Sequence, residues 1–223
     1  MKRLLIACET IRNEVELALK NRAVEIETIW MANTLHDSPD RLRDALQAEI
    51  NKSEAAYDEI LFAYGNCGNG LLGLKSEKAI LVIPKYGDCI EILLSETDNL
   101  ERIRTTTYFL TQGWLNGEKT LDIEYEYNLK KYGERRAKMI MNIMFKHYKN
   151  LMLIDTGAFN VEAALPRVKD IGELIGLDVV ISQGSISPLE KLVSGQWDEK
   201  FCVIPPGHPT DYDDFLGISL SKP

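Results

Sequence analysis

Three cysteines follow apolar runs that read as strands. Cys8 closes "LLIACET", Cys67 lies in "YGNCGNG" and Cys89 in "VIPKYGDCI". In a parallel α/β sheet, ligands bind at the carboxyl ends of the strands, so this spacing places three thiols on one edge. Thiolates favour zinc, copper(I) or an iron–sulfur cluster. Three protein ligands leave one position open to water or substrate, the arrangement of a catalytic rather than a structural zinc. The same number suits a four-iron cluster in which one iron lacks a cysteine. There is no C-x-x-C pair, and unpaired thiols near loop ends are the plain alternative. Cys202 differs: inside "FCVI" it reads as a buried, inert thiol.

Other reactive groups are expected at the same edge. His36 lies in "MANTLHDSPD", after the second strand, and His208 in "PPGHPT", after the last. Either is a candidate ligand or acid–base, because imidazole titrates near neutrality. His147, near a helix end, is expected to complement the helix dipole. Asp88 either orients a ligand or caps the helix "CIEILLSE". Gly65, Gly68 and Gly70 would let backbone N–H groups approach cluster sulfides or an anion. They do not match G-x-G-x-x-G, no G-K-[ST] follows, and no G-x-S-x-G elbow occurs, so nucleotide binding and α/β-hydrolase chemistry have no motif behind them. The competing chemistry is a Cys67 nucleophile paired with His36 or His208, with the Cys67 and Gly68 N–H groups as an oxyanion hole. Tyr108, Phe109 and Trp114, in "TTTYFLTQGWL", read as core packing or as a pocket wall for a flat or methylated ligand.

The elements that must position these groups are strands at Arg3–Ala7, Glu25–Met31, Glu59–Tyr64, Ala79–Pro84, Leu151–Asp155, Asp178–Ser182 and Lys200–Ile204. Their nearly continuous apolar character is that of parallel strands covered on both faces. Helices fill the gaps. Ile11, Val15, Ala18 and Leu19 form one stripe, Ser38-Pro39 opens a helix through Leu42, Leu46 and Ile50, and Glu162–Ile175 supplies another. The alternation predicts an α/β fold, mostly parallel sheets flanked by helices. A weak internal echo predicts two similar βαβαβ units forming a cleft, the second built from the last three strands. The expected division is an N-terminal lobe over residues 1–118, carrying the cysteine loops, and a C-terminal lobe over 119–223. The latter includes long connecting helix within Leu121–Lys149, with Gly133 as a break.

Composition limits the function classes. The 223 residues are 45% apolar and 27% charged, with net charge −8 and a pI near 5.0. That balance argues against a nucleic-acid face, which needs a basic stripe. No apolar run approaches the roughly 20 residues that span a bilayer, and the apolar stretch before Glu9 is too short for a signal peptide. A cytoplasmic location is therefore expected, where cysteines serve as thiols or metal ligands rather than disulfides.

Together "ACE", "LHDSPDRL", "YDEILFAYGNCGNG", "PKYGDCIEILL" and "TTTYFLTQGW" resemble domain-of-unknown-function family 1638 of methanogenic archaea and anaerobic bacteria. The likeness covers most of the chain. Positions matching the family pattern are Cys8, His36, Tyr64, Gly65, Cys67, Gly68, Gly70, Asp88, Cys89, Tyr108, Gly113 and Trp114. Glu9 and Lys85 depart from it, standing where glycine and arginine are expected. The resemblance implies a setting beside corrinoid-dependent methyltransferases in one-carbon metabolism. The leading expectation is thus an enzyme acting on a small molecule, with zinc or an iron–sulfur cluster held by Cys8, Cys67 and Cys89. The alternative is a non-enzymatic accessory protein that holds a metal or corrinoid for a methyltransferase or corrinoid-protein partner.

Overall fold

The structure, a computed structural model, describes residues 1–215. β1 (Arg3–Cys8), α1 (Arg12–Arg22), β2 (Glu27–Met31), α2 (Pro39–Ser53), β3 (Glu59–Ala63) and β4 (Ile80–Pro84) come first. Short α3 (Cys89–Leu93) and α4 (Leu100–Arg104) lead to β5 (Thr107–Leu110) and α5 (Gln112–Leu115). α6 (Leu121–Tyr132), α7 (Glu134–Phe145), β6 (Asn150–Asp155), α8 (Val161–Ile175), β7 (Asp178–Gln183), α9 (Ser187–Ser194) and β8 (Phe201–Ile204) complete the chain. The strands form two sheets, ordered β2-β1-β3-β4-β8 and β5-β6-β7. All pairings are parallel except β4 with β8. The fold is α/β with mostly parallel sheets flanked by helices, as the sequence predicts.

Burial explains which runs become central strands. Every residue of β3 is buried, as is all of β1 after Arg3, which fits strands covered by helices on both faces. The predicted start of α2 is seen in detail: Ser38 accepts a hydrogen bond from the Arg41 N–H and Pro39 occupies the first turn. Gly133, at φ 78°, divides α6 from α7.

The echo of three strands in the second unit is corrected. The third strand of the second sheet is β5, and β8 joins the first sheet. α9 descends from the carboxyl edge, where the Ser185 N–H donates to Leu93 O, to the amino edge, where Arg3 donates to Val193 O. The next residues climb back, the Lys85 N–H meets Lys200 O, and β8 must run downward against β4. The run "FCVI" carries no signal of strand direction.

The two carboxyl edges face one another. The Thr111 hydroxyl, just beyond β5, donates to Thr10 O at 2.6 Å, and Thr156, just beyond β6, donates to Glu14 at 2.9 Å. Ser185, beyond β7, meets the end of α3. A Cβ on Gly113 would stand 2.3 Å from Glu9 O, so only glycine permits this approach. The loops after β1 and β4 are therefore pressed against the loops that follow all three strands of the second sheet.

Candidate thiol site

Cys8 is the last residue of β1 and Cys89 the first of α3; both are buried. Cys67 lies in the turn after β3 and is partly exposed. The Cys8 and Cys67 thiols both lie close enough to the Cys89 thiol to act on its ionisation. Cys202 stands apart, its Sγ donating to Asp214 O at 2.9 Å, and burial pushes its pKa up to about 12.

The loops are held by the backbone. Beyond β3 and β4, the Asn66 N–H donates to Tyr86 O and the Cys67 N–H to Gly87 O, both at 2.8 Å. The two loops run so close that a Cβ on Gly65 would sit 2.4 Å from the Asp88 backbone. The Gly65 N–H is directed to the Cys89 sulfur. Cys67, Gly68 and Asn69 all take positive φ, at 42°, 66° and 72°. For Cys67 that conformation is costly, by about 1–3 kcal/mol, and the surroundings must enforce it. Asn66 does so through Asn69 Oδ1 and the Leu71 N–H, and Arg43 through the carbonyls of Asn69 and Leu72.

This placement corrects two expectations. Gly70 cannot offer its N–H to a bound group, because it already donates to Asn66 O at 2.8 Å. The Cys67 N–H is likewise committed to Gly87 O, so the oxyanion hole expected at Cys67 and Gly68 lacks one donor. Gly68 itself is exposed at the tip of the turn.

Asp88 performs the capping role, accepting from the Glu91 N–H at 2.8 Å, while Arg104 grips it with two nitrogens. Its oxygens are engaged on both sides. His36 lies elsewhere: it is exposed beside Asp37 and lines a cavity with Tyr108 and Trp114, in which no cysteine takes part. His208 is corrected. Because β8 is antiparallel, the loop carrying it leaves the opposite edge and runs beside Lys75 and Ser76, exposed.

Sequence reasoning left the uncharged neighbours of the thiols out of the site. Tyr64 is buried, its hydroxyl has no partner, and it stands within the influence of all three cysteines. Thr10, beside Cys8, also keeps a buried hydroxyl without a partner. Glu14 is fully buried; one oxygen accepts from Thr156 and the other has no partner. Its signal was visible, since an acid stands between Ile11 and Ala18 on the apolar stripe of α1.

The electrostatics favour neutral forms. The Cys89 thiol, then burial, holds Cys8 well above its ordinary value, and the Cys67 thiol raises Cys89 in the same sense. Burial raises Tyr64 and Glu14. The largest contributions to the thiol shifts come from the neighbouring thiols and burial, not from a lysine or arginine. A cation would reverse them, because an opposite charge favours the thiolate. The donor set is uniformly soft, which fits a thiophilic metal. Its spacing is not that of a closed site: among the described residues no group of three His, Cys, Asp or Glu side chains is arranged to hold an ion.

Two facing, mostly parallel sheets flanked by helices, the first with cysteines in the loops at its carboxyl edge, define an α/β protein. A family model described as "Protein of unknown function (DUF1638)" matches residues 30–193, and the chain belongs to that family. Cys67 and Cys89 lie inside the matched region; Cys8, Cys202 and His208 lie outside it. No curated protein and no solved structure matches the chain. No described helix is long and apolar enough to cross a membrane.

Proposed function

We propose that Cys8, Cys67 and Cys89 together hold a thiophilic metal, either zinc or an iron–sulfur cluster, and that a small molecule reacts beside Cys67. The observation carrying this reading is the meeting of three thiols from three separate loops around a buried tyrosine hydroxyl that has no partner. Four side-chain polar atoms among the described residues are buried without partners, and two of them, Thr10 Oγ1 and Tyr64 OH, stand beside these thiols. Such atoms cost stability unless a bound group satisfies them.

The bound group would supply Lewis acidity or electron transfer. The chain's own residues do the rest. Gly65 directs its N–H to the Cys89 sulfur, while the unpartnered Tyr64 and Thr10 hydroxyls would donate to the thiolates once a bound cation ionises them. The packed seam excludes water on the Cys8 side. Rotation of the Cys67 side chain, the one thiol not packed on every side, is the smallest change that draws the donors together. The one-carbon and corrinoid setting implied by the family resemblance is chemically compatible with such a soft centre. The nucleophile reading has less behind it, because no histidine stands at the thiols among the described residues and the oxyanion hole is incomplete.

Elemental analysis and absorption spectra of anaerobically purified protein test the proposal. Iron with acid-labile sulfide, or about one zinc per chain, is the expected result. Protein without metal after anaerobic reconstitution with either would refute it.

A further inference from the structure

Away from the thiols, the seam between the sheets opens into a cavity of about 650 Å³, between the turn after β2 and the start of α6. That volume suits a small organic ligand. Tyr108 and Trp114 form its aromatic wall, edge to face with ring centroids 5.8 Å apart. Phe145 and Tyr148 back the Tyr108 ring at 5.4 and 5.8 Å. The wall is thus rigid before any ligand arrives.

The charges around it do not cancel. Lys119 and His36 both face Asp37, at 3.2 and 3.7 Å. Glu118 and Glu124 also line the cavity and form no ion pair among the described residues. Glu124 lies close enough to Tyr108 to act on its phenol. Aromatic faces beside uncompensated carboxylates attract a cation that carries apolar surface of its own. A bare metal ion would gain little from the rings, and an anion would meet two negative charges.

We propose that this cavity binds a small alkylated or quaternary ammonium, its charge toward Glu118 and Glu124 and its alkyl groups against Tyr108 and Trp114. The net charge of −8 adds long-range attraction for such a ligand. The site is independent of the thiols and of any metal they hold.

Calorimetric titration of the full chain with choline and with its uncharged isostere, 3,3-dimethylbutan-1-ol, tests the assignment. Choline is expected to bind at least about tenfold more tightly than the isostere, and Trp114→Leu to weaken it about fivefold. A Glu118→Gln/Glu124→Gln double variant should bind choline no better than the isostere. Those two side chains are surface groups, so that variant keeps the test valid should Trp114→Leu fail to fold. Equal binding of choline and isostere would overturn the proposal. So would unchanged choline affinity in the double glutamine variant, or no binding of choline at millimolar concentration.

Discussion

The guanidinium of Arg104 grips the carboxylate of Asp88 through both terminal nitrogens, at 2.6 and 2.8 Å, one residue before Cys89. Asp88 at the same time caps α3. A side chain from α4 therefore fixes the residue that sets where Cys89 points, and does so from within a partly buried pair. Bidentate pairing of this kind supplies geometry as well as energy.

Arg104→Ala should consequently cost about 1.5–3 kcal/mol, the scale of hydrogen bonds to charged groups. Arg104→Lys, which keeps the charge without the planar fork, should recover only part of it. Urea unfolding of the three proteins measures the series, and equal stability of all three would contradict the anchoring role.

Thiol labelling should separate the cysteines by exposure. Cys67, partly exposed, should react with a maleimide in the native protein, while Cys8, Cys89 and Cys202 react only on unfolding. The raised pKa values of Cys8 and Cys89 also set a pH dependence. Their neutral forms are favoured in the fold, so their contribution is complete below the ordinary thiol value of 9.0 and is lost as pH rises above it toward the folded values. Metal-free protein should thus weaken at alkaline pH, and Cys8→Ala should flatten that decline. Mass spectrometry of labelled peptides and thermal unfolding across pH 7–10.5 check both outcomes.

Glu14 makes a separate pH prediction. Burial raises its pKa above 4.5, so its contribution to stability is present below that value and lost as pH rises through the folded one. Glu14→Gln cannot ionise and keeps an oxygen for Thr156. It should be more stable than wild type at neutral pH and lose the part of the pH dependence that begins near 4.5. Parallel pH curves for the two proteins would show that burial leaves the Glu14 pKa unshifted and would contradict this account.

Much of this was legible in the sequence because it depends on local pattern. The buried runs of β1, β3 and β4 announced parallel strands, and their ends announced where Cys8, Cys67 and Cys89 would lie. What escaped depends on long-range contacts. β5 is four residues long and aromatic, so nothing separated it from core packing until β6 paired with it. The direction of β8 follows from α9 returning to the first sheet, which no periodicity in "FCVI" records. That one reversal sends His208 to the wrong edge. The glycines around Cys67 read as ligand-facing, yet Gly65 serves the approach of the Asp88 backbone and Gly70 a turn hydrogen bond. The turn itself is held by Asn66 and Arg43, contacts that no local pattern around Cys67 announces.

The central claim, that three particular thiols form one site for a thiophilic metal, is tested most directly by cobalt(II) titration under anaerobic conditions. Thiolate ligation produces an intense sulfur-to-cobalt charge-transfer band that oxygen or nitrogen ligands do not give. Wild type and Cys202→Ser should develop the band with a stoichiometry of about one ion per chain and release protons as the neutral thiols ionise. Cys8→Ser, Cys67→Ser and Cys89→Ser should each weaken it markedly. A wild-type protein without the band, or a full band in the variant lacking all three thiols, would contradict the account.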